Sequence, residues 1–351
     1  MNTAARRWVR TLAQAHTFWV LVILLLLIVG FSLVTPPDTF LSLGNFKALA
    51  VDGSEMMILT IGTALILIGG GLDLSVGSVL VLDTVVTLKL ITAMGGKEAG
   101  LAPLVLGTLF AMLFGMGVGA VNGVLVTRFK IPAFIATLAT SGAALGFARL
   151  ISGGTNLVGV PVRLISMVNS QFLGIPLLVF IAFLVAIIAA IILKYTAFGL
   201  RTYAIGSNAE AARRAGIRNA RQTMLLYMFN GLLIGIVTMI DLGRFGVASI
   251  AAHTTDSLQA IAGAVIGGVS LCGGRGTILG AVIGSFIPAV LRNGFIILGF
   301  PPFWQEVSVS FVLLMAVYFD QWRRSRLESL QARFMEVRKP PAEASSSTPA
   351  R

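Results

Sequence analysis

Apolar runs long enough to cross a bilayer recur along almost the whole chain, separated by short breaks at glycine, proline and charged residues. A membrane-spanning helix needs about 20 mostly apolar residues. The runs predict ten spans, at 18–34, 54–72, 75–94, 101–126, 131–152, 175–194, 223–241, 256–272, 277–298 and 303–320. The pattern therefore predicts an all-α polytopic membrane protein with about ten transmembrane helices.

The composition agrees with this fold class. Of the 351 residues, 56% are hydrophobic and 11% are charged, whereas a soluble domain has about 25% charged residues. The first apolar run is long for a signal peptide, and no A-x-A site follows it before "TPPD". We interpret this run as a retained first helix.

The formal charge of +12 is explained by the distribution of basic residues. If the N-terminus is inside, nineteen Lys and Arg residues fall on inner segments and five on outer ones, namely Lys47, Lys97, Arg149, Arg163 and Arg244. Cytoplasmic loops are enriched in Lys and Arg. The charge therefore predicts a multi-pass protein of the bacterial inner membrane with both termini cytoplasmic, and it does not indicate nucleic-acid binding.

Glycines spaced four apart predict close contact between helices. They occur at Gly115/Gly119/Gly123, Gly263/Gly267 and Gly280/Gly284. Contact within one bundle is the favoured interpretation, and a dimer face is the alternative.

Motifs of soluble catalytic chemistry are missing from the sequence. There is no P-loop, H-E-x-x-H, C-x-x-C or G-x-S-x-G, and the two histidines, His16 and His253, are predicted on opposite sides of the membrane. The single cysteine, Cys272, excludes an intrachain disulfide and a cysteine-based metal cluster. We therefore predict a chain that is not an enzyme and carries no metal or cofactor.

Two carboxylates stand out among apolar residues. Asp73 lies in "LIGGGLDLSVGS", residues 67–78, where it either caps the next helix or belongs to a working part. Asp83 falls inside a predicted span, where a charge is costly and usually faces a partner or a water-filled path. Arg292 is one candidate partner for Asp83.

A long inner segment, "AIGSNAEAARRAGIRNARQTM" at 204–224, predicts a short helix on the cytoplasmic face. Asn208 suits the N-cap, Glu210 lies in the first turn, and Gly216 suits the left-handed position after the helix. This helix either lies on anionic lipid or docks a cytosolic partner.

The same residues carry a family resemblance. Glu210, Ala211, Ala212 and Gly216 resemble the E-A-A-x-x-x-G loop of ABC importer permeases, which sits in a cleft of the ATPase. Further stretches resemble the permeases of ribose, xylose and arabinose-type importers, the second carbohydrate-uptake family. They are "GGGLDLSVGS" (69–78), "VNGVLV" (121–126), "KIPAFIATLAT" (130–140), "IAGAVIGGVSLCGGRGTILGAVIG" (261–284) and "NGFIILGF" (293–300).

The resemblance implies a ten-helix permease, two per complex, served by a cytosolic ATPase with two nucleotide-binding halves and by a periplasmic sugar-binding protein. ATP and Mg would then lie on the ATPase chain, with membrane lipid around the permease. The cargo would be a monosaccharide, meaning a pentose, hexose or related polyol. The alternatives are a branched-chain amino acid ABC permease and a proton-coupled secondary transporter that uses Asp83.

The candidate site residues follow from these interpretations. The predicted ATPase-coupling residues are Glu210, Ala211, Ala212, Arg213, Arg214 and Gly216. The predicted translocation-path residues are Asp83, Asn122, Thr137, Thr140, Ser141 and Asn293. The predicted gate or turn residues are Gly70, Asp73, Ser75, Gly273 and Gly274, and Arg244 is predicted to dock the binding protein.

The chain divides into three predicted parts. These are a cytoplasmic segment at 1–17, a permease domain at 18–320 with a coupling loop at 196–222, and a cytoplasmic tail at 321–351 that is partly disordered. The sequence also departs from the family pattern, because Gln259 in "DSLQAIA" stands where an acid is usual, Arg149 comes late in its span, and position 83 is ordinarily uncharged. These departures leave the cargo open.

Overall fold

The computed structural model describes residues 16–301 and nine positions between 303 and 318, all of them helical. The predicted segment 1–17 and the tail 321–351 lie almost entirely outside the described residues, as does much of the predicted span 303–320. Twelve α-helices are described: α1 His16–Val34, α2 Leu43–Ile68, α3 Val76–Ala93, α4 Leu101–Thr127, α5 Ala133–Ser152, α6 Val162–Val168, α7 Leu177–Tyr195, α8 Ala197–Ser207, α9 Ala209–Arg214, α10 Asn219–Phe245, α11 Asp256–Ile266 and α12 Ile278–Ile297.

Eight of these helices are long and apolar enough to cross a membrane, which confirms the polytopic all-α class. The predicted span 256–272 is wrong as a full crossing. Its helix, α11, ends at Ile266 after 11 residues, or about 16 Å at 1.5 Å per residue. The glycine-rich residues after Ile266 form turns instead of continuing the helix, because Gly268, Gly273 and Gly274 have positive φ angles.

Four helices are the most buried of the long ones. The most apolar parts of α2, α3, α10 and α12 are 83%, 67%, 61% and 61% buried, whereas that of α1 is 6% buried. The backbones of α4 and α10 are in close contact at glycines. A Cβ on Gly115 would overlap the carbonyl oxygen of Gly231, and a Cβ on Gly119 would overlap that of Tyr227. The first glycine series therefore packs within this chain, as predicted.

The second and third glycine pairs meet each other. A Cβ on Gly267 would overlap the carbonyl oxygen of Gly280, and one on Gly284 would lie 2.7 Å from the nitrogen of Gly267. These contacts bring α12 back along α11 after the turn. The predicted contact within one bundle is confirmed for these pairs too.

Four two-residue strands complete the fold: β1 Leu157–Val158, β2 Gln171–Phe172, β3 Ile175–Pro176 and β4 Val247–Ala248. β1 pairs antiparallel with β4, so the connection after α5 and the connection after α10 lie at the same end of the bundle. The basic-residue count predicts this end to be the outer one. β2 and β3 form a small hairpin before α7.

Candidate functional site

The predicted cytoplasmic helix is present as α9. The side chain of Asn208 accepts a hydrogen bond from the backbone N–H of Ala211 at 2.9 Å, which caps the first turn. Gly216 has a φ of +84°, the left-handed conformation that glycine adopts without strain. The N–H of Gly216 bonds to Arg213 O and that of Ile217 to Ala212 O, so the last carbonyls are satisfied. The predicted capping at both ends is confirmed.

The surface of α9 is polar around a small buried centre. Glu210 forms ion pairs with Arg213 at 2.8 Å and Arg214 at 3.1 Å, and all three side chains are at least half exposed. Ala212 is 4% exposed and packs inward. Exposed pairs of this kind contribute about 0 to 1 kcal/mol, so the cap and the glycine turn hold α9 in shape more than these charges do.

The helix before α9 rests directly on the predicted gate turns. A Cβ on Gly206 of α8 would overlap the carbonyl oxygen of Ile68, the last residue of α2, and would lie 2.5 Å from the nitrogen of Gly274. A Cβ on Gly273 would lie 2.9 Å from Gly70 Cα. The N–H of Gly274 also bonds to Ile68 O at 2.8 Å. The structure thus brings Gly70, Gly273 and Gly274 together against α8.

Asp73 lies deeper than the sequence indicates. After α2 the chain turns back beside it, because the N–H of Gly71 bonds to Ile66 O. Asp73 then meets Asn230 of α10, whose side chain touches Gly62. Gly62 precedes the end of α2 by six residues, about 9 Å along the helix. Asp73 is therefore buried within the bundle and deeper than the end of α2.

A hydrogen-bond network surrounds the Asp73 carboxylate. Its Oδ1 accepts from the N–H of Ser75 at 2.8 Å and from the Ser75 hydroxyl at 2.6 Å, and its Oδ2 accepts from Asn230 at 2.9 Å. Asn122 donates to the Ser75 hydroxyl, and Thr140 donates to Asn122. The network joins α4, α5 and α10 to the start of α3, so the carboxylate is a structural centre of the bundle.

Asp73 does not bond to the first turn of α3. The N–H of Gly77 there is instead satisfied by the hydroxyl of Ser257 at 3.0 Å, and that hydroxyl donates to Leu74 O. Ser257 belongs to α11, so one helix caps another across the bundle. Sequence spacing cannot reveal such a cap, because the two residues are 180 positions apart.

The predicted path residues are dispersed. Ser141 bonds to Ser78, Thr137 bonds to the backbone of its own helix, and Asn293 exchanges two hydrogen bonds with Asn45. Asp83 accepts from Thr87 at 3.0 Å through one oxygen, while its other oxygen has no hydrogen-bond partner among the described residues. Asn122 and Thr140 meet in the Asp73 network, whereas the other path residues have different partners, and the role of all six in transport stays a prediction.

The pairing of Asp83 with Arg292 is not formed. Among the described residues Asp83 makes no ion pair, and Thr238 is the other polar side chain beside it. Arg292 of α12 lies instead at the wall of a cavity near the outer end of the bundle.

This outer cavity has a volume of about 580 Å³ and lies between α2, α10, α11, α12 and the connection 246–255. Its polar wall includes Asp52, Glu55, Asp241, Arg244, His253, Asp256, Gln259 and Arg292. Ligand pockets usually measure about 300 to 1,000 Å³ and carry few polar groups. The outer cavity has the size of a small-molecule site and an unusually charged lining.

Arg244 is held within the chain. Its guanidinium pairs with Glu55 at 2.9 Å and with Asp52, and its side chain is 21% exposed. These pairs join the end of α10 to α2 and give the arginine a role inside the permease. Docking of a binding protein by Arg244 stays a prediction, and it would have to engage an arginine that already has two carboxylate partners.

His253 bridges two acids on the other side of the outer cavity. Its Nε2 lies 3.0 Å from Asp241 of α10, and its Nδ1 lies 2.6 Å from Asp256 of α11. Burial lowers the pKa of His253, but the hydrogen bonds and negative charges of Asp241 and Asp256 outweigh burial and raise the pKa to about 11. The ring is therefore an imidazolium between two carboxylates.

The sequence analysis missed Glu55, Asp241 and His253. Glu55 and Asp241 are carboxylates inside spans, so the rule that was applied to Asp83 also singles them out. Their meeting with His253 depends on how α2, α10 and the connection 246–255 pack. Only the tertiary structure brings them together.

Comparison with known proteins identifies the family. Residues 45–318 match the family described as the permease component of branched-chain amino acid transport systems. The chain is 32% identical over 289 residues to the autoinducer 2 import system permease protein LsrC of Yersinia enterocolitica, covering 82% of this chain and 78% of that protein. It is 33% identical over 306 residues to the probable ABC transporter permease protein y4mJ of Sinorhizobium fredii, covering 87% and 88%. No solved structure matches the chain at a significant level.

The family, the relatives and the fold all indicate a membrane-spanning permease. The matched region contains seven of the eight long apolar helices almost entirely, together with α9 and the outer cavity. Permeases of this kind work with an ATPase and a substrate-binding protein, and catalysis is not their role. The chain therefore belongs to this family of transport-system permease components and is the membrane-spanning subunit of an ABC importer of the bacterial inner membrane.

Proposed function

We propose that this permease carries a monosaccharide, meaning a pentose, hexose or related polyol, that a periplasmic binding protein delivers to the outer cavity. The observation that carries the proposal is the pairing of most of the cavity's charges: Arg244 is held by Asp52 and Glu55, and His253 by Asp241 and Asp256. A neutral polyhydroxy compound can exchange hydrogen bonds with these groups and leave the ion pairs intact.

A branched-chain amino acid fits this lining less well. Its ammonium and carboxylate would compete with ion pairs that are already formed. The family is described by branched-chain amino acids, but one relative is named for the import of autoinducer 2, which is a different cargo. The amino acid remains the alternative that uptake measurements decide.

The experiment is uptake into vesicles that contain the permease with its ATPase and binding protein. Labelled pentoses, hexoses and polyols are compared with leucine and isoleucine, with and without ATP. We expect ATP-dependent uptake of one polyhydroxy compound and none of the amino acids. Uptake of leucine alone would overturn the sugar proposal, and uptake that ignores ATP but stops with a protonophore would replace it with proton coupling.

We also propose that α9 is the element that receives the ATPase's motion, with ATP and Mg bound by the ATPase and two permease copies in each importer. Support comes from the rigid caps of α9, its small Ala211 and Ala212, and the contact of the adjoining α8 with the glycine turns. A short stiff helix in that position can pass movement to those turns.

The test of α9 is co-purification of the ATPase with Glu210→Arg. Reversing this exposed charge should weaken ATPase recovery and stop uptake while membrane abundance stays normal. Lys97→Glu is the matched control, because Lys97 is exposed on the 3-10 turn at Gly96–Glu98, before α4, at the predicted outer end. Normal ATPase recovery and uptake with Glu210→Arg would leave α9 as a lipid-facing connector.

A further inference from the structure

Three side chains in the wall of the outer cavity can hold one metal ion. Each of Glu55, Asp241 and His253 offers one ligand atom, and these three atoms lie within 4.8 Å of one another. Glu55 and Asp241 are buried, and His253 is 9% exposed at its side chain. We propose that these residues form a binding site for one divalent transition-metal ion. The site shares its wall with the outer cavity, but it goes beyond the proposed function because its test needs no cargo.

The spacing suits direct coordination. Ligand atoms that share a metal at about 2.0 to 2.2 Å lie roughly 3 to 3.5 Å apart, and His253 Nε2 is already 3.0 Å from Asp241 Oδ1. Glu55 completes the site by a side-chain shift on the order of 1 Å. Arg244 binds Glu55 through Oε2, which leaves Oε1 for the ion.

The histidine is oriented as a metal ligand requires. A ligating histidine usually directs its second ring nitrogen to a carboxylate, which fixes the ring and raises its basicity. Asp256 occupies that place, with Oδ2 at 2.6 Å from His253 Nδ1. Three protein ligands beside an open cavity leave further coordination positions for water.

Negative charge in the site favours a cation, because Asp241 and Asp256 flank His253 and Glu55 lies beside them. When the ion binds, any proton on His253 Nε2 leaves to solvent. A dication gains twice the interaction of a proton with Asp241, Asp256 and Glu55, whereas Arg244 and Arg292 oppose it. Because one ligand is an imidazole, Zn²⁺ or Co²⁺ should bind in preference to Mg²⁺ or Ca²⁺.

The test is Co²⁺ binding to the full-length permease in lipid nanodiscs, purified through a tag that contains no histidine. Visible absorption reports coordination of Co²⁺, and loss of that signal reports displacement by Zn²⁺. We expect one Co²⁺ per chain, displaced by Zn²⁺ and not by Mg²⁺. His253→Ala and Asp241→Asn should each weaken binding tenfold or more, and Asp256→Asn should weaken it about 10 to 100-fold.

Two variants control for adventitious binding. His16→Ala removes the chain's other histidine, and Cys272→Ser removes its single thiol; both should bind Co²⁺ as the unmodified chain does. Size-exclusion profiles check folding, and Asp241→Asn decides the question if His253→Ala aggregates, because the amide keeps a hydrogen bond to the ring. No Co²⁺ signal in the unmodified chain, or an unchanged signal in Asp241→Asn, would overturn the proposal.

Discussion

Replacement of Gly206 by alanine tests whether motion passes from α8 to the glycine turns. The added methyl group would overlap Ile68 O and lie 2.5 Å from Gly274 N. Both are backbone atoms, and they are joined by a hydrogen bond of 2.8 Å. Because neither atom is the end of a flexible side chain, the helix or the turn has to move.

The free-energy cost of Gly206→Ala is the sum of three contributions. Overpacking costs about 1 to 3 kcal/mol, and loss of the Gly274 to Ile68 hydrogen bond costs about 1 kcal/mol. Alanine offsets about 1 kcal/mol through its better helix propensity. The net cost to the packed contact between α8 and the turns is about 1 to 3 kcal/mol. If coupled uptake requires this contact, and since 1.4 kcal/mol is a factor of ten, uptake should fall roughly 5 to 150-fold.

The assay compares uptake with ATP hydrolysis in the reconstituted importer. Gly206→Ala should lower uptake per ATP hydrolysed while ATPase recovery stays normal, because α9 itself is unchanged. Gly142→Ala is the matched control, since a Cβ at this α5 position has nothing within 4 Å and removes a glycine from a helix in the same way.

Normal uptake by Gly206→Ala would refute this reasoning. It would mean that α8 and the turns move apart freely, and that their close contact carries no motion. A low membrane abundance of Gly206→Ala, with normal abundance of Gly142→Ala, would instead show that the contact serves folding.

Three further predictions concern single contacts. Gly216→Val should destabilise α9 by about 1 to 2 kcal/mol through its left-handed conformation alone and reduce ATPase co-purification, whereas Gly216→Asn should be nearly tolerated. Asn230→Leu removes a partner of the buried Asp73 and should lower stability by about 1 to 3 kcal/mol, measured as a lower melting temperature in detergent; an unchanged melting temperature would exclude a structural role for this bond. Arg244→Gln should destabilise by less than the about 3 to 5 kcal/mol of a fully buried pair, because Arg244 is partly exposed, and adding Glu55→Gln should restore part of the loss if the pair is the cause.

Local features of this chain were predictable because they depend on neighbouring residues. The caps of α9 follow from Asn208 and Gly216, which act within one turn of the helix. The long apolar spans follow from the need to satisfy every backbone group inside a bilayer. The break after Ile266 was not predicted, since hydropathy averages over a window and does not register where glycines end a helix.

Contacts between residues far apart in the sequence could not be predicted. The local sequence indicates that Asp73 could cap a helix. Its hydrogen bond to Asn230 could not be predicted, because the two residues are 157 positions apart. Glu55 and Asp241 stand out as carboxylates inside spans, but their site with His253 exists only where α2, α10 and the connection 246–255 meet.

By itself, the amino-acid sequence determined the membrane class, the family and the shape of α9, and its basic residues predict the orientation. These depend on composition and on contacts between residues close in the chain. The tertiary structure decided where Asp73 lies, which helix caps α3, and which carboxylates face His253. Those depend on helix packing, in which glycines let particular backbones approach and thereby set which distant side chains come within hydrogen-bond distance.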